Sequence, residues 1–203
     1  MDTKPPINNP ETISYSNFLT SFGWVYIAKS TKGICQILFP DNTKETFQHP
    51  FSCLNLTKIG RHYSSVKIQR NDSLLKSEVE LLKEYFNGKQ VCFNFALDLR
   101  LGTEFQRKVW RKLQEIPYGE YRSYKWVAEQ IGHPLAARAV GMANNKNPLP
   151  PVIPCHRVIG SNGSLTGYAF GISIKKRLLE MECYTAHSRH FSMEPAQSGI
   201  DHH

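Results

Sequence analysis

The chain has 203 residues, which is enough for one larger domain or two small ones with a hydrophobic core. Hydrophobic residues make up 40% and charged residues 21%, as is typical of a globular protein, and no apolar run reaches the length of a membrane span. The N-terminus lacks the apolar core of a signal peptide. We therefore expect an intracellular protein, in the nucleus if the organism is eukaryotic and in the cytoplasm if it is prokaryotic.

The formal net charge is +8, and most of this excess lies in the second half of the chain. Between Glu129 and Glu180 there is no acidic residue, but there are six basic ones. A basic stretch without acids favours a polyanionic partner. A solvated basic face would account for the charge equally well, so this pattern alone does not decide the function.

The five cysteines are too sparse for a disulfide framework, and their number is odd. Because no secretion signal precedes them, we interpret them as reduced thiols. This interpretation leaves room for a nucleophilic cysteine.

Residues 1–12 are predicted to be disordered, and residues 13–101 are predicted to form an N-terminal α/β domain. Its elements are inferred from apolar alternation, helical periodicity and turn residues. In chain order they are a hairpin over 22–28 and 34–39, a strand over 65–69, a helix over 74–86 that ends at Gly88, and a strand over 91–99.

A second domain is predicted to begin near residue 102 and to extend to 183. Thr103 and Gln106 fit a capping box, which predicts a helix starting at this point. Two short helices follow within 123–147, separated by Gly132 and Pro134, and this is a helix-turn-helix pattern. Residues 184–203 show no periodicity, and we expect them to form a flexible tail.

The second helix of this pair is rich in alanine and glycine, and Arg138 is its one large basic side chain. Such a smooth helix can approach DNA closely. The same small residues also suit close packing against a neighbouring helix, and the pattern alone favours this packing interpretation.

The segment 147–159 reads NPLPPVIPCHRVI and contains four prolines within seven residues. The prolines fix an extended backbone and hold Cys155 in a stiff setting, with His156 beside it. A neighbouring histidine favours the thiolate, which is the nucleophilic form of cysteine. A cysteine followed by a histidine is weak evidence by itself, because most lone cysteines are inert core residues.

Several motifs together are far more specific than any one of them. They are GTEFQRKVW at 102–110, Ser123-Tyr124, AARAVG at 136–141, PCHRV at 154–158, Gly167-Tyr168, Lys175 and LLEME at 178–182. Their order and spacing resemble the O6-alkylguanine–DNA alkyltransferase family over about two-fifths of the chain. Residues 1–101 resemble that family only in forming a small mixed domain before the catalytic one.

The resemblance implies an α/β N-terminal domain, a small ribonuclease-H-like sheet with a helix, followed by a mostly α winged helix-turn-helix catalytic domain. It implies repair of duplex DNA by irreversible transfer of an alkyl group to Cys155, once per molecule. His156, acting through a water molecule, would deprotonate Cys155, and Glu182 would orient His156. Tyr124 would donate a proton to N3 of the departing guanine.

The resemblance also implies how DNA is held. The damaged nucleotide would be flipped out of the duplex, because a nucleophile cannot reach a stacked base, and Arg138 would fill the space it leaves. Ser123 and Ala137 would contact the DNA. Asn147 would brace the turn that leads to the active-site segment.

In the implied pocket, the carbonyls of Cys155 and Val158 accept hydrogen bonds from the guanine amino group, and the amide of Ala169 meets O6. Tyr168 forms a wall of the pocket, and Lys175 ties its loop. Many family members carry two glycines where this chain has Phe170-Gly171. A bulky Phe170 predicts that methyl groups react well and that benzyl-sized groups react poorly.

Some family members bind structural zinc in the N-terminal domain. Cys35, His49, Cys53 and His62 could supply ligands, but their spacing matches no zinc template, so we expect neither a metal nor a cofactor. The expected partner is double-stranded DNA that contains alkylated bases, bound by a monomer without an obligate protein partner. The sequence leaves open whether O4-alkylthymine is a second substrate beside O6-alkylguanine.

Three other functions are compatible with parts of the pattern. The first, an alkyltransferase-like protein that only recognises damaged bases, lacks the reactive cysteine, and this chain has Cys155. The second, a regulator that responds to cysteine alkylation, would be expected to carry added regulatory domains. The third, a cysteine hydrolase, would turn over repeatedly, and single-turnover kinetics would distinguish it.

Overall fold

The computed structural model describes residues 11–39 and 66–191. Within them the N-terminal half contains a four-stranded sheet with the strand order β3-β2-β1-β4. Strands β1, β2 and β3 are antiparallel neighbours, and β4 lies parallel to β1. The strands are β1 (Glu11–Thr20), β2 (Gly23–Ser30), β3 (Gly33–Leu38) and β4 (Val66–Arg70).

The predicted hairpin over 22–28 and 34–39 is confirmed as β2 and β3, and the predicted strand over 65–69 is confirmed as β4. Gly33 opens β3 at φ 147, and a side chain at this position would collide with the Ala96 carbonyl. The backbone of Ile34 exchanges hydrogen bonds of 2.8 Å with Ala96 and Asp98 at this close approach.

Helix α1 (Lys76–Phe86) covers one face of the sheet and confirms the helix predicted over 74–86. Its last residue, Phe86, packs against Phe18, Phe22 and Phe39 at ring-centroid distances of 6.5, 5.5 and 5.5 Å. Near its start, Glu78 forms an ion pair of 2.7 Å with Lys29 of β2. Helix α1 is thereby fixed to the sheet at both ends.

Three sequence predictions need correction. Strand β1 begins at Glu11, so residues 11 and 12 are not disordered, while residues 1–10 lie outside the described part. Residues 91–99 form no regular strand and make a single bridge, between Leu97 and Ile34. The last helix continues to Phe191, so the predicted flexible tail is wrong for residues 184–191.

The second half begins with helix α2 (Glu104–Leu113), which starts with the predicted capping box. Thr103 Oγ1 accepts from the Gln106 amide at 3.2 Å, and Gln106 Oε1 accepts from the Thr103 amide at 2.9 Å. The buried Trp110 of this helix donates from Nε1 to the Ala143 carbonyl at 2.9 Å, which fixes α2 to the helix-turn-helix.

The helix-turn-helix consists of α3 (Tyr124–Gln130) and α4 (Ala137–Asn145), and the Ser123 hydroxyl caps α3 by accepting from the Trp126 amide. Two short parallel strands, β5 (Arg122–Ser123) and β6 (Val158–Ile159), join the start of α3 to the segment that carries Cys155. Helix α5 (Ile172–Phe191) follows, and no described helix is both long and apolar enough to cross a membrane.

One cluster of buried side chains spans both halves of the chain. It includes Ile27 and Ile37 of the sheet, Leu82 of α1, Leu113 of α2 and Ile153 beside the nucleophile segment. The amide of Ile37 also donates to the Pro148 carbonyl at 2.8 Å. The sheet therefore packs directly against the segment that leads to Cys155.

Candidate active site and DNA-facing surface

Cys155 starts a short 3₁₀ helix (Cys155–Arg157) at the end of the proline-rich segment, and it is only 3% exposed. The side chain of Asn147 donates from Nδ2 to Ile153 O at 2.7 Å and to Cys155 Sγ at 2.9 Å. Asn147 Oδ1 accepts from the Leu149 amide at 3.0 Å. A single amide side chain therefore holds the turn and contacts the sulfur.

The Cys155 thiol is a weak acid in this setting. Burial raises its pKa to about 11, although the hydrogen bond from Asn147 and the charge of Lys175 act in the opposite direction. The thiol is consequently protonated at neutral pH. Reaction at sulfur requires a group that removes this proton as the new bond forms.

His156 is fully buried, and its Nε2 lies 2.9 Å from Glu182 Oε1. Burial lowers the pKa of His156, although the Glu182 carboxylate opposes that shift. We infer from this partner that the neutral ring carries its proton on Nε2 and its lone pair on Nδ1. Nδ1 is buried and has no hydrogen-bond partner among the described residues, so it is the atom that can accept a proton.

Both oxygens of the Glu182 carboxylate accept several hydrogen bonds. Oε1 lies 2.5 Å from Tyr85 Oη, 2.9 Å from His156 Nε2 and 2.9 Å from Arg157 Nη2, and Oε2 accepts from Arg157 Nε at 2.8 Å and the Gly119 amide at 3.3 Å. Burial acts to raise the pKa of Glu182, but its partners His156 and Arg157 outweigh burial and hold the pKa well below its ordinary value. Glu182 is a buried anion.

Gly119, whose amide donates to this carboxylate, has a left-handed backbone conformation with φ 78. A side chain at this position would be strained and would also lie 2.7 Å from Ala186 Cβ. Glycine is therefore required both by the backbone angle and by the space beside α5.

Lys175 of α5 is buried and ties three parts of the site together. Its Nζ donates to Val158 O at 2.6 Å, to Thr166 O at 2.8 Å and to Tyr124 Oη at 3.4 Å. Burial lowers the pKa of Lys175 to about 8, although Cys155 opposes the shift. Tyr124 in turn donates to Thr166 O at 2.9 Å, and burial raises its pKa, so it is a neutral phenol.

The loop before α5 lines the other side of the site. Tyr168 is buried, and its hydroxyl has no hydrogen-bond partner among the described residues; burial, with a smaller contribution from Cys155, raises its pKa well above the ordinary value. Phe170 packs between Tyr168 and Phe39, with ring centroids 5.8 and 5.2 Å away. Ala169, which lies between Tyr168 and Phe170 in the chain, is exposed.

Helix α4 presents Arg138 to solvent, while Val140 and Ala143 on its other face are buried. Apolar side chains are also exposed here, with Leu135 at 100% and Met142 at 64%. A groove runs along the exposed face of α4 and is lined by residues that include Tyr124, Arg138, Gly141, Met142, Thr166 and Gly167. The groove leads from the helix surface to the phenol of Tyr124.

The described residues contain no group of three or more side chains suited to a metal ion. Cys35 is buried, and burial raises its pKa to about 12, so its thiol is protonated in the metal-free protein. The other candidate ligands, His49, Cys53 and His62, lie outside the described residues.

Comparisons with known proteins agree with this geometry. Residues 104–184 match the family described as "6-O-methylguanine DNA methyltransferase, DNA binding domain", and residues 13–99 match its "ribonuclease-like domain". The chain belongs to the 6-O-methylguanine DNA methyltransferase family. As expected of a member, it combines a small sheet domain with a helical domain.

Members of the 6-O-methylguanine DNA methyltransferase family from bacteria and archaea are similar to the chain. The methylated-DNA–protein-cysteine methyltransferase of Mycolicibacterium paratuberculosis is 57% identical over 112 residues, which cover 55% of this chain and 67% of that protein. The protein of the same name from Methanosarcina acetivorans is 51% identical over 112 residues, covering 55% and 71%. The crystal structure of Mycobacterium tuberculosis OGT in complex with DNA is 37% identical, with a TM-score of 0.67 and coverage of 85% and 94%.

Seven of the residues that the family resemblance singled out fall into two groups. Cys155, His156, Glu182, Tyr124 and Lys175 lie together around the buried thiol, whereas Arg138 and Ala137 lie on α4 beside the groove. Their roles remain predictions.

Sequence reasoning missed three residues that contact the site of this 6-O-methylguanine DNA methyltransferase family member. Tyr85 and Arg157 bind Glu182, and Asn144 donates to the Cys155 carbonyl at 3.1 Å. Arg157 stands within the PCHRV motif and could have been found there. Tyr85 lies 97 residues from its partner, and no local pattern distinguishes it from a core tyrosine.

Proposed function

We propose that Cys155 is the residue that accepts an alkyl group from O6-alkylguanine in duplex DNA, once per molecule. DNA repair by alkyl transfer to a cysteine of the protein is the activity of the family to which the chain belongs. The observation that carries the assignment to Cys155 is the orientation of His156. Its Nε2 is bound to Glu182, which leaves the buried Nδ1 free to act as a base, and Cys155 directly precedes His156 in the chain.

In the proposed reaction His156 Nδ1 takes the thiol proton, through a bridging water, as sulfur attacks the alkyl carbon. The sulfur–carbon bond forms while the bond between O6 and this carbon breaks, and its electron pair stays on the guanine. The buried Glu182 anion stabilises the imidazolium that results. The product is a thioether, which thiol reductants do not cleave, so the protein is consumed.

The departing guanine needs one proton, and Tyr124 is the proposed donor to N3. Its phenol is neutral, and Lys175 Nζ lies 3.4 Å away, where its charge would stabilise the phenolate that forms. The proton that Cys155 released to His156 restores Tyr124 after the base leaves. Charges and protons therefore balance over one reaction.

The proposed guanine pocket uses the backbone of Cys155, Val158 and Ala169. Two of these groups already have partners, because Lys175 donates to the Val158 carbonyl, and both Asn144 and the Val158 amide donate to the Cys155 carbonyl. A carbonyl oxygen has two lone pairs, so the Val158 carbonyl can still accept a bond from the guanine amino group, whereas the Cys155 carbonyl would have to give up one of its two partners. Lys175 and Asn144 would then hold the two acceptors in place.

Binding to DNA is proposed along the groove of α4, with Arg138 replacing a flipped base, Ser123 and Ala137 contacting the DNA, and Asn147 bracing the turn that leads to Cys155. The exposed basic side chain and the small residues of α4 fit minor-groove entry. A fluorescent base analogue beside the lesion tests base flipping, since its emission should rise when its stacking neighbour leaves. Unchanged emission on saturating binding would argue against flipping.

The deciding experiment is mass spectrometry of the intact protein after mixing with duplex DNA that contains O6-methylguanine. We expect a gain of one methyl group on Cys155 that saturates at one per molecule. Cys155→Ala should gain nothing, and the matched control Cys183→Ala, which removes an exposed cysteine, should react like the wild type.

Other outcomes point to other functions. Tight binding to the lesion without a mass gain would indicate a damage-recognition protein, and continued turnover would indicate a true catalyst. Duplexes with O4-methylthymine, used in competition, test whether this base is a second substrate.

A further inference from the structure

A tyrosine of the N-terminal half enters the proposed proton relay. Tyr85 lies near the end of α1, is 1% exposed and places Oη 2.5 Å from Glu182 Oε1 and 3.3 Å from His156 Nε2. Among the described residues, every other donor to this carboxylate comes from the second half of the chain. Burial, and then the nearby Glu182 charge, raise the pKa of Tyr85 well above its ordinary value, so it is a permanent donor.

We propose that Tyr85 is a positioning residue for alkyl transfer, whose phenol holds the Glu182 carboxylate and limits its attraction for the imidazolium form of His156. This inference rests on the proposed relay of Cys155, His156 and Glu182. A hydrogen bond to a charged acceptor is stronger than one between neutral groups. A carboxylate oxygen that already accepts such a bond from Tyr85 carries less negative potential toward His156 Nε2.

The phenol has two opposing effects on the protonation of His156, and the lengths of its contacts with Glu182 and His156 show which effect is larger. The bond to Glu182 disfavours protonated His156, whereas a lone pair of the phenol oxygen facing Nε2 would favour it. The first contact is short at 2.5 Å and the second is long at 3.3 Å. The bond to the carboxylate therefore dominates, and Tyr85 helps to keep His156 neutral and ready to accept a proton.

The other charged or titratable groups near His156 are Glu182 and Lys175 on α5, Arg157 on the 3₁₀ helix and Cys155 beside it. Changing any of these alters a formal charge or the nucleophile itself. Removing the Tyr85 hydroxyl changes no charge at neutral pH, and the ring would keep its contacts with Phe93 and Tyr118. Tyr85 is thus the group around His156 whose effect can be isolated.

The test compares Tyr85→Phe with the wild type in two measurements between pH 5 and 9. One is the titration of the His156 imidazole nitrogens by NMR, and the other is the single-turnover rate of methyl transfer. We expect the His156 midpoint to rise by about one pH unit, with a transfer rate about tenfold lower below the midpoint and near the wild-type value above it. The matched control is Tyr118→Phe, which removes a neighbouring hydroxyl that donates to Gly88 O instead.

An unchanged His156 midpoint in Tyr85→Phe would overturn the inference, as would a uniform loss of rate at every pH. If Tyr85→Phe folds poorly, a fluorinated tyrosine at position 85 provides a second test. Its hydroxyl is retained and is a stronger donor, so the His156 midpoint should shift downward. Failure of the wild type to gain a methyl group on Cys155 would refute the proposed function. The imidazole titration would still decide the role of Tyr85.

Discussion

Asn147 forms three hydrogen bonds with one buried side chain, to Ile153 O, Cys155 Sγ and the Leu149 amide. The hydrogen bond from Asn147 to the sulfur lowers the pKa of the Cys155 thiol and so opposes the effect of burial, which raises it. The same amide therefore shapes the turn and favours the thiolate, and these two contributions can be measured apart.

We expect Asn147→Ala to lower the single-turnover rate at pH 7 about tenfold, because the thiol loses a donor and its pKa rises. Stability to urea should fall by about 1 to 3 kcal/mol, since two buried backbone groups lose their partner. The control is Asn71→Ala, which removes an amide that caps the Leu74 N–H at 3.0 Å far from the site. The control should lose some stability and keep its rate, and equal rates for both variants would contradict the role of Asn147.

The ring of Phe170 stands between Tyr168 at the site and Phe39 at the end of β3. We expect Phe170→Gly to accelerate reaction with O6-benzylguanine more than reaction with O6-methylguanine, because the ring no longer limits the space beside the pocket. The ratio of the two rate constants is the measurement. An unchanged ratio would show that the Phe170 ring, because it packs against Phe39, does not narrow the pocket.

Among the secondary-structure elements, α2 depends on a glycine that precedes it. A Cβ on Gly102 would overlap the Trp110 ring and lie 2.8 Å from its Cη2 atom. The ring is buried and its Nε1 holds the Ala143 carbonyl of α4, so it has little freedom to move.

We predict that Gly102→Ala lowers the free energy of unfolding by about 1 to 3 kcal/mol through overpacking. Urea denaturation provides the measurement. Gly141→Ala is the comparison, because its Cβ would lie 3.8 Å from Tyr124 and alanine suits a helix better than glycine, so stability should hold or rise. A harmless Gly102→Ala would mean that Trp110 can shift without loss of packing.

Elements with strong local signals were predictable from the sequence. The β2–β3 hairpin and the capping box of α2 follow from turn and cap residues that lie within a few positions of each other. Residues 91–99 alternate like a strand, but they meet β3 only around Leu97, so the chain there is extended without a ladder. Helix α5 continues past Cys183 to Phe191, although residues 184–191 lack an apolar period that would have predicted it.

At the scale of the whole molecule, the buried Glu182 couples folding to pH. Its pKa in the folded protein lies below the ordinary value of 4.5, so the carboxylate contributes stability that is fully present above about pH 4.5. That contribution is lost as the pH falls toward the folded pKa.

We expect Glu182→Gln to be less stable than the wild type by about 3 to 5 kcal/mol at pH 7, because Arg157 loses its buried partner. The difference should narrow as the pH falls below 4.5, and urea denaturation at several pH values would follow it. Glu180→Gln, which breaks an exposed pair of 3.6 Å with Lys176, should change stability by less than about 1 kcal/mol. A pH-independent gap for Glu182→Gln would be inconsistent with a depressed pKa.

The sequence predicted groups of residues that are neighbours along the chain better than contacts between its two halves. Cys155 and His156 are adjacent in a distinctive motif, and Glu182 followed from the family resemblance. The contacts of Tyr85 with Glu182 and of Ile37 with Pro148 depend on how two halves of the chain pack. Periodicity and spacing describe only neighbours along the chain, so they carry no information about such contacts.

The near-complete burial of Cys155 also limits which electrophiles can reach its sulfur. Cys92 and Cys183 are exposed, and small thiol-reactive compounds would meet these side chains first. Cys155 is 3% exposed and protonated at rest, so it is slow toward a reagent that does not enter the pocket. Under the proposed function, this burial would keep a protein that reacts only once from being inactivated by chance encounters, and would reserve its single reaction for an alkyl group delivered by DNA.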